Sequence, residues 1–195
     1  MVKDKLFNDA YLCQIKDKNT EKTTHMMAMY FDTPSLGLAG RKMAFRVRFE
    51  DKRAIATLKW NGTSDNGLHV RGELNIPVEE TFHLQPNVEV FRESEIYEEI
   101  KRAVGSEDMV NIVDMDYVRR EVKLDTGKSI SVLSYDEGII STASGQCPIS
   151  EVEIELYSGD GDDMVSLGRQ LECKYNLIPD DTSKLQKGLS LLKKQ

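Results

Sequence analysis

Apolar and polar residues alternate strictly in several short stretches, which predicts strands with one apolar and one polar face. In Ala44 to Glu50, Phe45, Val47 and Phe49 oppose Arg46, Arg48 and Glu50. In Ala54 to Trp60, Thr57 and Lys59 oppose Ala56, Leu58 and Trp60. Leu68 to Ile76 sets His69, Arg71, Glu73 and Asn75 against Leu68, Val70, Leu74 and Ile76. Tyr117 to Leu124 sets Tyr117, Arg119, Glu121 and Lys123 against Val118, Arg120, Val122 and Leu124. Met26 to Phe31, Ser129 to Tyr135 and Glu151 to Tyr157 complete a set of seven predicted strands. The run Asn61 to Gly67 reads as the turn of a hairpin, and Asp125-Thr126-Gly127-Lys128 as another.

Helical spacing appears elsewhere. Leu6 with Ala10, Phe7 with Tyr11 and Tyr11 with Ile15 predict an amphipathic helix from about Lys3 to Lys16, followed by a polar stretch to Thr24. Between Pro77 and Val113, Ile96, Tyr97, Ile100, Ala103 and Val104 predict a helix that Gly105 ends. Near the C-terminus, Asp160, Asp162 and Asp163 precede Met164, Leu167, Leu171 and Tyr175, as carboxylates favour a helix N-terminus. After Pro179, a last helix from about Thr182 carries Leu185, Leu189 and Leu192. No repeat or second domain is visible, so residues 1–195 read as one domain.

The polar strand faces are sorted by charge. Arg46, Arg48, Lys59, Arg119 and Lys123 gather the positive charge, and Glu151, Glu153 and Glu155 the negative. The polar face of an antiparallel sheet usually meets water, and a lone Arg or Glu there is usually half of a surface ion pair worth about 0–1 kcal/mol. Segregated charge instead predicts an inside-out antiparallel barrel of α+β class, with helices over an apolar outside and a polar lumen. Like charges crowded in a lumen are costly unless opposite charge sits among them, so a phosphate chain with divalent cations is the predicted guest.

Composition narrows the alternatives. With 26 basic and 33 acidic residues the net charge is −7, which disfavours nucleic-acid backbone as a partner. No apolar run approaches a membrane span and no apolar signal core opens the chain, so a cytoplasmic location is expected. Three cysteines, Cys13, Cys147 and Cys173, give neither a disulfide framework nor a zinc spacing. The three histidines form no nucleophile or metal pattern. A lipocalin-like carrier would need an apolar lumen, which Arg46, Arg48 and Lys59 oppose.

The series Tyr30-Phe31-Asp32-Thr33-Pro34, Phe45-Arg46-Val47-Arg48, Thr57-Leu58-Lys59-Trp60-Asn61-Gly62, Gly67-Leu68-His69-Val70-Arg71-Gly72-Glu73, Asp136-Glu137-Gly138, Glu151-Val152-Glu153-Ile154-Glu155-Leu156 and Thr182-Ser183-Lys184 resembles, in order, the CYTH domain of the triphosphate tunnel metalloenzymes. The resemblance implies an eight-stranded antiparallel tunnel that binds triphosphate with Mg²⁺ or Mn²⁺. Arg46, Arg48, Lys59, Arg119 and Lys184 would then grip phosphate oxygens, with Arg71 and Lys123 in support. Lys59 and Arg48 are the implied catalytic cations. Glu73, Asp136, Glu151 and Glu153 would hold the metal ions, one of which positions and activates a water for in-line attack on the terminal phosphorus.

The resemblance thus implies hydrolysis of inorganic tripolyphosphate or an organic triphosphate. Two alternatives stand beside it: cyclisation of ATP as in class IV adenylyl cyclases, and a catalytically impaired binding module for polyphosphate or nucleotide. The second follows from one departure. The family's first strand carries Glu-x-Glu-x-Lys, no such motif precedes the helix at Lys3, and the first of eight strands is expected to be missing. Two open sheet edges would invite pairing with a second copy, so a homodimer is the corollary. Leu185 and Lys187 also stand where the family often has Tyr and Arg.

Overall fold

Alternation becomes sheet where the backbone can pair. A computed structural model, described over residues 2–50 and 53–192, contains seven strands among those residues. They are β1 Lys16–Asp32, β2 Ala44–Glu50, β3 Arg53–Asp65, β4 Leu68–Val78, β5 Val110–Asp125, β6 Ser129–Thr142 and β7 Gly145–Gly159. Their order in the sheet is β4-β3-β2-β1-β5-β6-β7, and the β1–β2, β2–β3 and β3–β4 pairs are antiparallel. The helices are α1 Val2–Phe7, α2 Leu12–Ile15, α3 Tyr97–Val104, α4 Gly161–Tyr175 and α5 Lys184–Leu192. Among the described residues, no helix is long and apolar enough to cross a membrane.

Several predicted boundaries change. The first strand is longer than the expected Met26 to Phe31, because Lys16 to Thr24, polar on both faces and so without a period, still pairs through its backbone. The hairpin turn shrinks from seven residues to Asn66-Gly67, both at positive φ (49° and 80°), as a two-residue hairpin loop favours. The predicted helix from Lys3 to Lys16 is broken into α1 and α2. Asp9 breaks it: its carboxylate accepts the Tyr11 and Leu12 backbone N–H groups at 2.8 and 3.1 Å and starts a new helix. The last helix begins at Lys184 rather than Thr182.

The chain forms two compact units. One comprises residues 1–24, 118–138 and 149–180. Its core joins Leu6, Phe7 and Leu12 of α1 and α2 to Val122, Leu124 and Leu133 of the sheet and Leu167 and Leu171 of α4. The α4 N-terminus forms as its sequence predicts, with Asp160 as the cap accepting Asp162 N–H at 2.9 Å.

The other unit comprises residues 25–117, 139–148 and 181–195. Its core lies on the Phe45 face of the sheet, where Phe45, Val47, Ala56 and Leu58 are fully buried under Phe91, Ile96, Ile100 and Val104. Phe91 meets Phe45 edge-on, ring centroids 5.3 Å apart. The loop after β1 is tied by Asp32, whose buried carboxylate accepts N–H groups from Thr33, Leu38 and Ala39 at 2.7–2.9 Å. In this unit the apolar face is therefore the helix-covered one, and the Arg46 face is the one left for chemistry.

Candidate functional site

Strand register assembles a row of side chains across four strands in the larger unit. Tyr30 pairs with Arg46, Arg46 with Thr57 and Thr57 with Asn75. Directly paired residues share a face, so all four side chains stand together. The next row along β3 and β4 pairs Lys59 with Glu73, and the row on the other side pairs Arg48 with Ile55.

Arg46 is the centre of this group. It is buried (7% exposed), and its Nε has no hydrogen-bond partner. Its Nη2 donates to Thr57 Oγ1 at 3.5 Å and lies 3.9 Å from Glu73 Oε1. The Tyr30 ring lies 6.0 Å from the guanidinium carbon. Burial opposes the charge on Arg46, but Tyr30, Tyr117 and Glu73 outweigh it and hold the guanidinium firmly protonated. Arg48 Nη2 pairs with Glu50 Oε1 at 2.6 Å.

Lys59 is the strained cation. Its ammonium bonds Glu73 Oε2 at 3.0 Å. Burial first, then repulsion by Arg46 and Arg71, push its pKa down to about 7 despite Glu73. Glu73, conversely, sits below the usual carboxylate range: burial raises it, and Lys59 and Arg46 lower it further. Lys184, at the start of α5, places its ammonium 6.0 Å over the Tyr117 ring. One carboxylate thus bonds the half-buried Lys59 and lies near the buried Arg46, whose Nε has no hydrogen-bond partner. An open groove of about 730 Å³ at Pro77, Val78, Phe82, Gln85, Asn87 and Val90 has no Arg or Lys in its lining, so it does not belong to this anion-receiving group.

The smaller unit holds a second cluster. Arg119 donates Nε to Asp136 Oδ1 and Nη2 to Asp136 Oδ2, both at 2.7 Å, and the same Nη2 to Glu153 Oε2 at 2.8 Å. Glu151 is on β7 two residues before Glu153 and half-buried. Lys123 turns its ammonium over the Tyr157 ring, 4.4 Å from the centroid. Two carboxylates, those of Asp136 and Glu153, reach one Arg119 nitrogen atom, and carboxylate oxygens are the donor type that Mg²⁺ and Mn²⁺ take. Among the described residues, no three His, Cys, Asp or Glu side chains stand together as a ready metal cage.

The predicted residues fall accordingly. Arg46, Arg48, Lys59, Arg71, Glu73 and Lys184 belong to the larger unit, and Arg119, Lys123, Asp136, Glu151 and Glu153 to the smaller. The sequence prediction missed Tyr30, Thr57 and Asn75 as parts of the site. A signal for the last two was present, because alternation puts Thr57 on the Lys59 face and Asn75 on the Glu73 face.

A helix-covered apolar face and a polar face carrying Arg46, Lys59 and Glu73 define an antiparallel sheet protein with helices packed on one side. The chain belongs to the CYTH domain family, whose sequence model matches residues 3–189. It is 31% identical over 166 residues to the inorganic triphosphatase of Haemophilus influenzae, a match covering 85% of this chain and 46% of that protein. The chain therefore spans about half the length of that relative.

Solved structures share the fold. A Hippeastrum protein assigned as an adenylyl cyclase, with a dominant triphosphatase activity, superposes with a TM-score of 0.71 at 18% identity, covering 97% of this chain and 90% of its own. A Bacillus halodurans protein assigned as an adenylate cyclase gives 0.61 at 14%, covering 95% and 90%. A Pyrococcus horikoshii protein gives 0.56 at 15%, covering 96% and 93%.

Proposed function

We propose that this chain hydrolyses triphosphates, inorganic tripolyphosphate or an organic triphosphate, with Mg²⁺ or Mn²⁺. The observation that carries the reading is Arg46, a buried guanidinium with an unpartnered Nε beside Lys59, a lysine whose charge burial, Arg46 and Arg71 disfavour. A multiply charged phosphate chain would satisfy both. Arg46 and Arg48 would orient the chain of phosphates with their planar forks, and Lys59 would neutralise charge developing on a phosphoryl oxygen. Arg119 and Lys123 would do the same within the smaller unit.

Asp136, Glu151 and Glu153 would hold a divalent ion there, and Glu73 is the corresponding carboxylate of the larger unit. When bound, such an ion supplies Lewis-acid polarisation and charge neutralisation. The relationship to the Haemophilus influenzae inorganic triphosphatase supports hydrolysis over cyclisation.

The deciding experiment is an assay of orthophosphate release from tripolyphosphate with Mg²⁺ and then Mn²⁺. Release that chelator abolishes and that Arg48→Ala lowers at least about 100-fold is expected. Cyclic AMP and pyrophosphate from ATP, without orthophosphate, would replace the reading with ATP cyclisation. Tight tripolyphosphate binding without turnover would leave a binding module.

A further inference from the structure

The hydrogen bonds linking Arg46 to Glu73 have only one possible direction. Arginine can only donate and an ionised carboxylate can only accept. Thr57 Oγ1 therefore accepts from Arg46 at 3.5 Å and spends its single proton on Asn75 Oδ1 at 2.7 Å. Asn75 must then turn its amide the other way, and Nδ2 donates to Glu73 Oε1 at 3.1 Å. The orientation of the Asn75 amide is thereby settled by the ends of the chain. Glu73 keeps its other oxygen for Lys59 at 3.0 Å. Thr57 is fully buried on this path, where a polar side chain needs a reason to be.

We propose that Thr57 and Asn75 are positioning residues: they hold Glu73 turned toward Lys59 and away from a direct pair with Arg46, so the Arg46 guanidinium stays open to phosphate. This rests on the triphosphate reading of the same site. The distances define the alternative. Glu73 Oε1 is 3.9 Å from Arg46 Nη2, too long for a hydrogen bond, and Asn75 is the group that claims that oxygen. Without Asn75 the carboxylate is free to close on Arg46 and compete with the incoming anion. Without the Thr57 hydroxyl the Asn75 amide oxygen loses its donor, and the amide is held less firmly against Glu73.

The test titrates inorganic tripolyphosphate by calorimetry into the full chain with EDTA present, so no turnover is needed, and measures steady-state hydrolysis separately. Thr57→Val keeps shape and removes the hydroxyl, Thr57→Ser keeps the hydroxyl, and Asn75→Ala removes the amide. Thr57→Val and Asn75→Ala should each weaken tripolyphosphate binding about tenfold and raise KM similarly, with kcat within about twofold, while Thr57→Ser binds like the wild type. A merely structural role would not produce this KM-against-kcat split with rescue by serine.

If Thr57→Val does not fold, Asn75→Ala on the exposed edge strand decides alone. Wild-type affinity in Asn75→Ala, or in a folded Thr57→Val, overturns the proposal. Wild-type protein that neither binds nor cleaves tripolyphosphate overturns the triphosphate reading instead. Wild-type binding without turnover leaves the positioning question to the calorimetry.

Discussion

Arg119 meets Asp136 through two parallel hydrogen bonds, Nε to Oδ1 and Nη2 to Oδ2, each 2.7 Å long. Asp136 is completely buried, so this guanidinium compensates a carboxylate taken out of water. The fork geometry matches the planar carboxylate as it would match phosphate, which suits a side chain proposed to serve both.

Arg119→Met should therefore destabilise the protein by about 3–5 kcal/mol, since it takes a bidentate guanidinium away from a buried carboxylate. Adding Asp136→Asn should recover part of that loss. Urea unfolding of the two single variants and the double variant checks it. A cost for Arg119→Met within about 0.5 kcal/mol of zero, the range of an ordinary surface substitution, contradicts the compensation argument.

Asp9 gives the free protein an acid limit. Burial would raise its pKa, but the Lys174 ammonium, the Tyr175 hydroxyl and the backbone N–H groups of Leu12 and Tyr11 bring it down to about 2. A carboxyl held below its unfolded value of 3.8 stabilises the fold fully above that value and stops doing so as pH falls through about 2. Stability should drop between about pH 4 and pH 2, and Asp9→Asn should flatten that part of the profile. Thermal melts across this range give the answer, and an equally steep fall in Asp9→Asn would place the acid limit elsewhere.

Lys59 makes binding proton-linked. Burial, Arg46 and Arg71 bring its pKa down to about 7, so Lys59 in the free protein loses its proton far more readily than an ordinary lysine. If tripolyphosphate binds beside it, as proposed, its negative charge would raise that pKa, so binding at pH 8 should take up protons. Calorimetry in buffers of different ionisation enthalpy reads this directly, and Lys59→Met should abolish it. In the free protein the slope has the same sign as for Asp9, stability rising with pH, because both groups titrate lower in the folded state than in the unfolded one. A cation depressed from 10.5 penalises the folded state below about pH 7, and the penalty fades as pH rises toward 10.5.

Gly188 sets how closely α5 lies on the sheet of the larger unit. A Cβ there would stand 2.7 and 2.8 Å from the Val113 methyl carbons and 3.3 Å from Ile140 Cγ2. Gly188→Ala gains about 1 kcal/mol of helix propensity, and overpacking of about 1–3 kcal/mol exceeds it. The melting temperature should fall. Val113→Ala in the same chain should restore some of it, because the clashing methyls are gone. A rise in melting temperature for the single variant would mean the helix moves freely.

Much of this was legible in the amino-acid order. Period-two alternation placed Arg46 with Arg48, Thr57 with Lys59 and Glu151 with Glu153, because side-chain direction along a strand is a local property. The run Asn61 to Gly67 marked a turn, and the structure narrows it to Asn66 and Gly67, which sit at positive φ. Where both faces are polar, as from Lys16 to Thr24, alternation has nothing to report, and the strand was invisible until its backbone was paired. The break between α1 and α2 was hidden for a related reason. Helical spacing continued through it, while the Asp9 carboxylate took the N–H groups that a continuous helix would have used.

By itself, then, the sequence determined which residues share a strand face and where charge of each sign accumulates. Only the tertiary structure decided who faces whom: Arg119 with Asp136, 17 residues on, or Thr57 with Asn75, 18 residues on. Those partnerships depend on turn length and register, and a slip of one residue would turn each side chain to the opposite face. Burial is the other quantity that the linear order withholds. The same lysine that would be an ordinary surface cation on an exposed strand becomes, between Arg46, Arg71 and Glu73, a group that titrates near neutrality.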